Sequence, residues 1–109
     1  MIDLGKIYDE LAKEYDRNLE TGKIRGQSLK VLGEAEKNSL LGLANPRKND
    51  CALDVACRTG RITIELAKVC GGVCGVDISI NMLKICRDKS RQYGSVVETK
   101  KADARRCPI

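Results

Sequence analysis

Residues 51–60, together with the helical pattern that follows them, constrain the fold more than any other part of the chain. The run C-A-L-D-V at 51–55 is apolar and too short for a helix, which is typical of a buried parallel strand. The segment R-I-T-I-E-L-A-K at 61–68 begins a helical pattern with apolar residues on one face: Ile62, Leu66 and Val69. A strand, a tight turn and a helix start form a pocket of the nucleotide-binding type, because ligands of open α/β sheets bind at the carboxyl ends of strands.

Two further strands with a helix between them follow in the sequence. Gly71-Gly72 precedes a strand at 73–77, Ser79 is a good helix N-cap, Gly94 ends that helix, and residues 96–101 form the third strand. Right-handed crossovers between parallel strands give the order 3-2-1, so the strand at 51–55 lies at an edge. The sequence thus predicts an α/β, partial Rossmann-like three-layer fold whose sheet is truncated, since a strand this apolar is usually paired on both sides.

Two helices are predicted to precede this core, so that residues 1–50 form a leading segment and residues 51–109 the Rossmann-like core of one domain. The first helix follows a cap at Asp3 and has a regular apolar face: Leu4, Ile7, Tyr8, Leu11, Ala12 and Tyr15. The second is expected over residues 22–43 with Thr21 as its cap. Its inward residues are expected to be Ile24, Val31, Leu32, Ala35 and Leu43.

Three motifs in order carry a family resemblance. The segments D-V-A-C-R-T-G-R, G-V-D-I-S-I-N-M-L and A-D-A-R-R-C-P-I resemble the N-terminal, cofactor-binding half of a class I S-adenosylmethionine-dependent methyltransferase. The resemblance covers residues 8–109 and reaches the final Cys107-Pro108-Ile109, where the family has a leucine-proline-phenylalanine turn. The first motif of the family has an acidic residue followed by glycines at alternate positions. Here those positions are Ala56, Arg58 and Gly60, so only the last is glycine.

The resemblance implies S-adenosyl-L-methionine as cofactor and assigns roles to individual residues. Asp54 would lie near the methionine amino group, Asp77 on the ribose, and Asp103 on the adenine amino group with the amide of Ala104 nearby. Ile78 and Met82 would flank the adenine. Tyr8 and Tyr15, on the leading helix, would close the site.

Some of these roles have a structural alternative. Asp77 could instead cap the following turn, Met82 could be ordinary core, and the two tyrosines could simply pack their helix onto the sheet. Arg58 could fill the pocket or pair with the methionine carboxylate.

The amino-acid composition argues against several other classes of protein. Six cysteines occur without histidine and without a C-x-x-C pair, which favours free, buried thiols in a reducing cytoplasm over a disulfide scaffold or a zinc site. No apolar run is long enough to span a membrane. The excess of basic residues lies in residues 84–109, and with three tyrosines, no phenylalanine and no tryptophan the sequence argues against nucleic-acid binding.

Three functions are therefore compared. The first is a methyltransferase, or its cofactor-binding fragment, acting on an unidentified methyl acceptor. The second is a catalytically inactive truncated remnant or interaction module that pairs with itself or a partner chain through the open strand edge. The third, a nicotinamide-dependent oxidoreductase, is disfavoured because its glycines would fall on Ala56, Arg58 and Arg61.

Overall fold

The computed structural model describes residues 2–106. Helix α1 (Leu4–Thr21) and a short hairpin, β1 (Lys23–Ile24) with β2 (Gln27–Ser28), lead into α2 (Leu29–Ala44). The core then runs β3 (Cys51–Val55), α3 (Arg61–Ala67), β4 (Gly72–Asp77), α4 (Ile80–Gln92) and β5 (Glu98–Lys101), followed by a 3-10 turn at Ala104–Arg106. The predicted turn at Cys107-Pro108-Ile109 lies outside the described residues.

The three core strands form one parallel sheet in the order β3-β4-β5, with β3 at the edge. The predicted α/β class and strand order are confirmed. The third strand begins at Glu98 rather than at residue 96, and Val96 is exposed.

The two faces of the sheet have different environments. On one face α3 and α4 cover Val73 and Gly75, and a Cβ on Gly75 would lie 2.9 Å from Cys57 Sγ, so only glycine fits this close approach. On the other face Leu53 and Val55 remain 43% and 45% exposed. The apolar strand β3 is thus only half covered by the described residues.

Helix α1 begins where the sequence predicts, with the Asp3 carboxylate accepting a hydrogen bond from the Lys6 N–H at 3.1 Å. Its packed face is nevertheless shifted. Ala12 is buried, while Ile7 and Leu11, expected to point inward, are exposed. The reason is polar docking: carboxylates beside the predicted stripe bond to the core and fix the rotation of the helix.

The second predicted helix is wrong in its start and in its inward face. Thr21 ends α1, and Arg25 and Gly26 have φ values of 50° and 79°, the positive values that tight two-residue hairpin turns require. Ser28 caps α2 instead. The residues expected to be inward are all exposed: Ile24, which lies in β1, and Val31, Leu32, Ala35 and Leu43 of α2. The elements that α2 contacts most, α1, α3 and β2, do not cover these side chains.

Helix α3 also differs from its predicted face. Thr63, Ile64 and Leu66 are buried, whereas Val69 follows the helix and is exposed. A helix of seven residues has too few turns for Val69 to align with Ile62, and Thr63 turns inward because its hydroxyl bonds to the end of β3.

The cysteines in the described part of the chain are free, as expected, although Cys51 is exposed rather than buried because it lies on the edge strand. Within residues 2–106, no helix combines the length and the apolar character that a membrane crossing requires.

Candidate cofactor-binding site

The loop between β3 and α3 adopts a left-handed conformation at alternate residues. Ala56, Arg58 and Gly60 have φ values of 60°, 55° and 88°. These are the positions that the resemblance assigns to glycine, so the backbone keeps the glycine-type path although two of the three residues carry a Cβ. Such non-glycine residues are strained by about 1–3 kcal/mol each, and the surrounding structure must hold them.

Hydrogen bonds to β4 hold this loop in place. The Cys57 N–H donates to the Val76 carbonyl at 3.0 Å, and the Arg58 N–H donates to Asp77 Oδ2 at 2.8 Å. Gly60 allows close packing as well, since a Cβ there would lie 2.5 Å from Cys86 Sγ. The one glycine left in the motif is at the position where a side chain would collide with the core.

Asp77 lies at the centre of the site and is 1% exposed. Its Oδ1 accepts the Ser79 N–H at 2.9 Å, and its Oδ2 accepts the Arg58 N–H and lies 3.4 Å from Arg58 Nη1. Asp77 therefore does cap the following turn, the alternative that the sequence left open. Its role toward a ribose remains a prediction.

The Arg58 side chain lies between α1 and the sheet. Its guanidinium carbon is 3.9 Å from the centre of the Tyr8 ring, and its Nη1 faces Asp77. A cation over an aromatic ring and beside a carboxylate is held by two favourable interactions.

Two cavities of about 210 and 200 Å³ adjoin this loop. The loop cavity is lined by Tyr15, Asp54, Thr59 and Arg61, among others. The sheet-end cavity, at the carboxyl ends of the strands, is lined by Tyr8 and by four residues predicted for the site: Asp77, Ile78, Asp103 and Ala104. Ala56 and Arg58 line both.

Two predicted site residues line neither of these cavities. Gly60 lies in the packed part of the loop, and Met82 is 0% exposed in the core, the alternative that the sequence allowed for it. Asp103 does reach the sheet-end cavity, where Arg105 holds its carboxylate through contacts as short as 2.7 Å. The structure thus brings the other predicted residues, Tyr8 and Tyr15 included, to two adjoining cavities.

Asp54 is half-buried, and its Oδ2 accepts a hydrogen bond from Thr63 Oγ1 at 2.6 Å. Burial raises the pKa of this carboxyl above its ordinary value, the nearby Asp77 charge adds to the rise, and the Thr63 hydrogen bond opposes it. Because the folded pKa is raised, ionised Asp54 destabilises the fold at pH values above that pKa. The penalty disappears as the pH falls below the unfolded pKa of about 3.9.

We therefore expect Asp54→Asn to raise the melting temperature at pH 7, because an amide keeps an acceptor for Thr63 without burying a charge. The gain should shrink as the pH is lowered toward 4, where the wild-type carboxyl is increasingly protonated. Thermal unfolding of both proteins between pH 4 and 8 measures this. Asp88→Asn, on the exposed side of α4, is the control and should show no such trend. A constant difference across the range would contradict the expectation.

Sequence reasoning missed two aspartates that dock α1 onto the site. Asp16 Oδ1 accepts from Thr59 Oγ1 at 2.5 Å, and Asp16 Oδ2 accepts from Lys89 Nζ at 3.0 Å. Asp9 Oδ1 accepts from Ser79 Oγ at 2.5 Å and from the Asn81 N–H at 3.2 Å.

These hydrogen bonds bring the Asp9 carboxylate to the start of α4 and the Asp16 carboxylate to the motif loop. The hydrogen bond from Ser79 is the main reason that the pKa of Asp9 is lowered. A signal was present in the sequence, since in Y-D-E-L-A-K-E-Y-D each aspartate follows a tyrosine and the two lie seven residues apart, two turns along one helix face.

Comparison with known proteins identifies the family to which this fold belongs. The sequence model of the methyltransferase domain matches residues 52–109, from β3 to the end of the chain. The chain belongs to the methyltransferase domain family, and its fold and motifs are those of the class I S-adenosylmethionine-dependent enzymes.

Individual relatives give the same result. Demethylmenaquinone methyltransferase of Staphylococcus aureus is 32% identical over an alignment of 100 positions, which covers 84% of this chain and 36% of the relative. The chain thus spans about a third of the length of the curated relatives that it matches.

Solved structures of methyltransferases also resemble this fold. A putative methyltransferase of Bacillus halodurans has a TM-score of 0.64 at 26% identity, covering 69% of this chain and 33% of the other. An RNA methyltransferase of Salinibacter ruber, solved in complex with S-adenosyl-L-homocysteine, has a TM-score of 0.62 at 26% identity, covering 69% and 51%.

Proposed function

We propose that this chain is the S-adenosylmethionine-binding part of a class I methyltransferase and works in the cytoplasm. The observation that supports this most is the placement of Asp54, Asp77 and Asp103. Each lies at or just beyond the carboxyl end of a successive parallel strand, and together they line two adjoining cavities. This end of an open α/β sheet is where such folds bind nucleotide-like ligands.

The residues present fit the chemical parts of this cofactor. Asp54, on the loop cavity, would accept the methionine amino group, with Tyr15 covering that side. Asp77 would accept the ribose hydroxyls. In the sheet-end cavity, Asp103 and the Ala104 amide would meet the polar edge of the adenine, and Ile78 would pack on its ring.

When bound, the cofactor supplies an electrophilic sulfonium methyl group to a nucleophile of the acceptor. The chain's own residues bind and orient the cofactor for that in-line displacement, which is where positioning contributes most. The acceptor and any base that prepares it would come from outside the described residues, in keeping with the chain's share of its relatives' length.

A second candidate function, an interaction module, is favoured by one observation. The edge strand β3 leaves its outer backbone groups unpaired among the described residues, and Leu53 and Val55 beside them are exposed. Such an edge can accept a further strand from another polypeptide. This function requires no cofactor affinity, which separates it from the first.

Titration calorimetry with S-adenosylmethionine tests the proposal. Asp103→Ala is expected to weaken binding roughly ten- to a hundredfold, because a hydrogen bond to a charged group contributes about 1.5–3 kcal/mol. Glu98→Ala makes the same change of charge at the other end of β5 and should leave the affinity unchanged. If wild-type protein releases no heat with millimolar cofactor, the chain does not bind it and the interaction module remains.

A further inference from the structure

The cleft that we propose for the cofactor is interrupted by a side chain of the same loop. Resting on that proposed function, we infer that Arg58 is a gate: its guanidinium, clamped between Tyr8 and Asp77, separates the two cavities and must swing away before the cofactor can bind. The gate therefore sets the affinity of the site and connects it to the position of α1.

The hydrogen bonds of Asp77 show why the guanidinium must leave. Two of the donors that the structure shows are the backbone N–H groups of Arg58 and Ser79, which belong to the folded turns. The third is Arg58 Nη1 at 3.4 Å, the weakest of the three by distance and the one that can move without unfolding either turn. With Asp77 only 1% exposed, a ribose hydroxyl reaches its carboxylate by replacing this donor.

The Tyr8 ring holds the gate from the opposite side, at 3.9 Å from the guanidinium carbon. Tyr8 is itself fixed, because Asp9 and Asp16 bond α1 to α4 and to the motif loop. The Arg58 side chain is itself 27% exposed, which leaves it an open direction toward solvent.

The gate divides the proposed cofactor site into the loop cavity and the sheet-end cavity. Arg58 and Ala56 line both, and each cavity measures about 200 Å³. S-adenosylmethionine has an adenosine part and a methionine part joined through the ribose, so it must extend across both. Removal of the guanidinium would join the cavities at the ribose position.

Calorimetry on three substitutions tests the gate. Arg58→Gly is expected to bind S-adenosylmethionine at least tenfold more tightly than wild type, because it removes the whole side chain and lets the loop backbone approach the cofactor. Arg58→Ala should gain less, since its Cβ remains at that approach. Tyr8→Leu keeps an apolar cover but removes the ring face, and it should tighten binding severalfold. Arg91→Ala, an exposed arginine at the end of α4, is the control and should bind like wild type.

A second measurement needs no cofactor. If Tyr8 and Asp77 clamp Arg58, the losses of melting temperature caused by Tyr8→Leu and Arg58→Ala should not add in the double variant, because both remove the same contact. Additive losses would overturn the clamp.

The outcomes separate this inference from the proposed function. Equal affinity of wild type, Arg58→Gly and Arg58→Ala would overturn the gate and leave the proposed function standing. Weaker binding by both variants would mean that Arg58 contacts the cofactor directly, and this result would also overturn the gate. No binding by any of the proteins at millimolar cofactor would overturn the gate and the proposed function together.

Discussion

Asp77→Ala is expected to abolish cofactor binding and to lower the free energy of unfolding by about 3 kcal/mol. The substitution leaves the N–H groups of Arg58 and Ser79 without their acceptor at a buried position. It also removes the anion that pairs with the Arg58 guanidinium, which is partly buried under Tyr8. The strained loop at Ala56 and Arg58 is then attached to β4 through the Cys57 N–H bond to the Val76 carbonyl.

Urea unfolding and titration with S-adenosylmethionine measure the two effects separately. Asp77→Asn is the matched comparison, because it keeps the shape of the side chain and one carbonyl acceptor, but it loses the charge and replaces the second acceptor with an NH2 donor. It should recover part of the stability while still binding the cofactor poorly. An Asp77→Ala protein with wild-type stability would show that the carboxylate does not hold the turn.

The second large effect concerns association through the sheet. The isolated chain is expected to self-associate, or to be loosely packed when dilute, because β3 has an apolar sequence and an unpaired outer side among the described residues. The opposite edge differs: β5 reads E-T-K-K, and charged edge strands resist pairing. Association should therefore use β3 rather than β5.

Sedimentation across a concentration series tests this, with Leu53→Lys as the informative variant. The lysine places a charge on the exposed face of β3 and should shift the protein to monomer at concentrations where wild type associates. Val96→Lys adds the same charge beside β5, at a residue that is also exposed, and should leave association unchanged. Equal behaviour of the two variants would place the contact elsewhere.

A polypeptide that supplies the further strands of a methyltransferase sheet should stabilise the chain. Domains of this size have about 5–15 kcal/mol of stability, so an uncovered apolar face removes a considerable part of it. A sharp two-state transition above about 60 °C, with monomeric sedimentation at high concentration, would show that the sheet needs no cover.

The sequence by itself determined the core of this protein. The apolar run at 51–55, the glycines at 71 and 72 and the cap at Ser79 are local signals, and each places an element without reference to the rest of the chain. Strand order follows from them because the handedness of parallel crossovers leaves few alternatives. Asp54, Asp77 and Asp103 then come to one end of the sheet by topology alone.

In the leading segment, the faces that the helices bury were decided by tertiary structure. Periodicity located α1 and part of its packed face, since Ala12 is buried and Tyr8 and Tyr15 are half-buried. It missed the rotation of the helix, which is set by Asp9 and Asp16 meeting polar groups on α4 and the motif loop. For α2, an apolar stripe predicted burial, yet burial also requires a neighbouring surface, and the described residues provide none for Leu43 or Val31.

The state of the site was likewise decided only in three dimensions. The sequence shows that arginine replaces glycine at position 58, and it allows that side chain either to fill the pocket or to reach a ligand. Its actual place follows from the Tyr8 ring, fifty residues away along the chain, and from the Asp77 carboxylate on the next strand. Contacts between residues so far apart in sequence leave no local pattern, because they exist only after the helix has packed on the sheet.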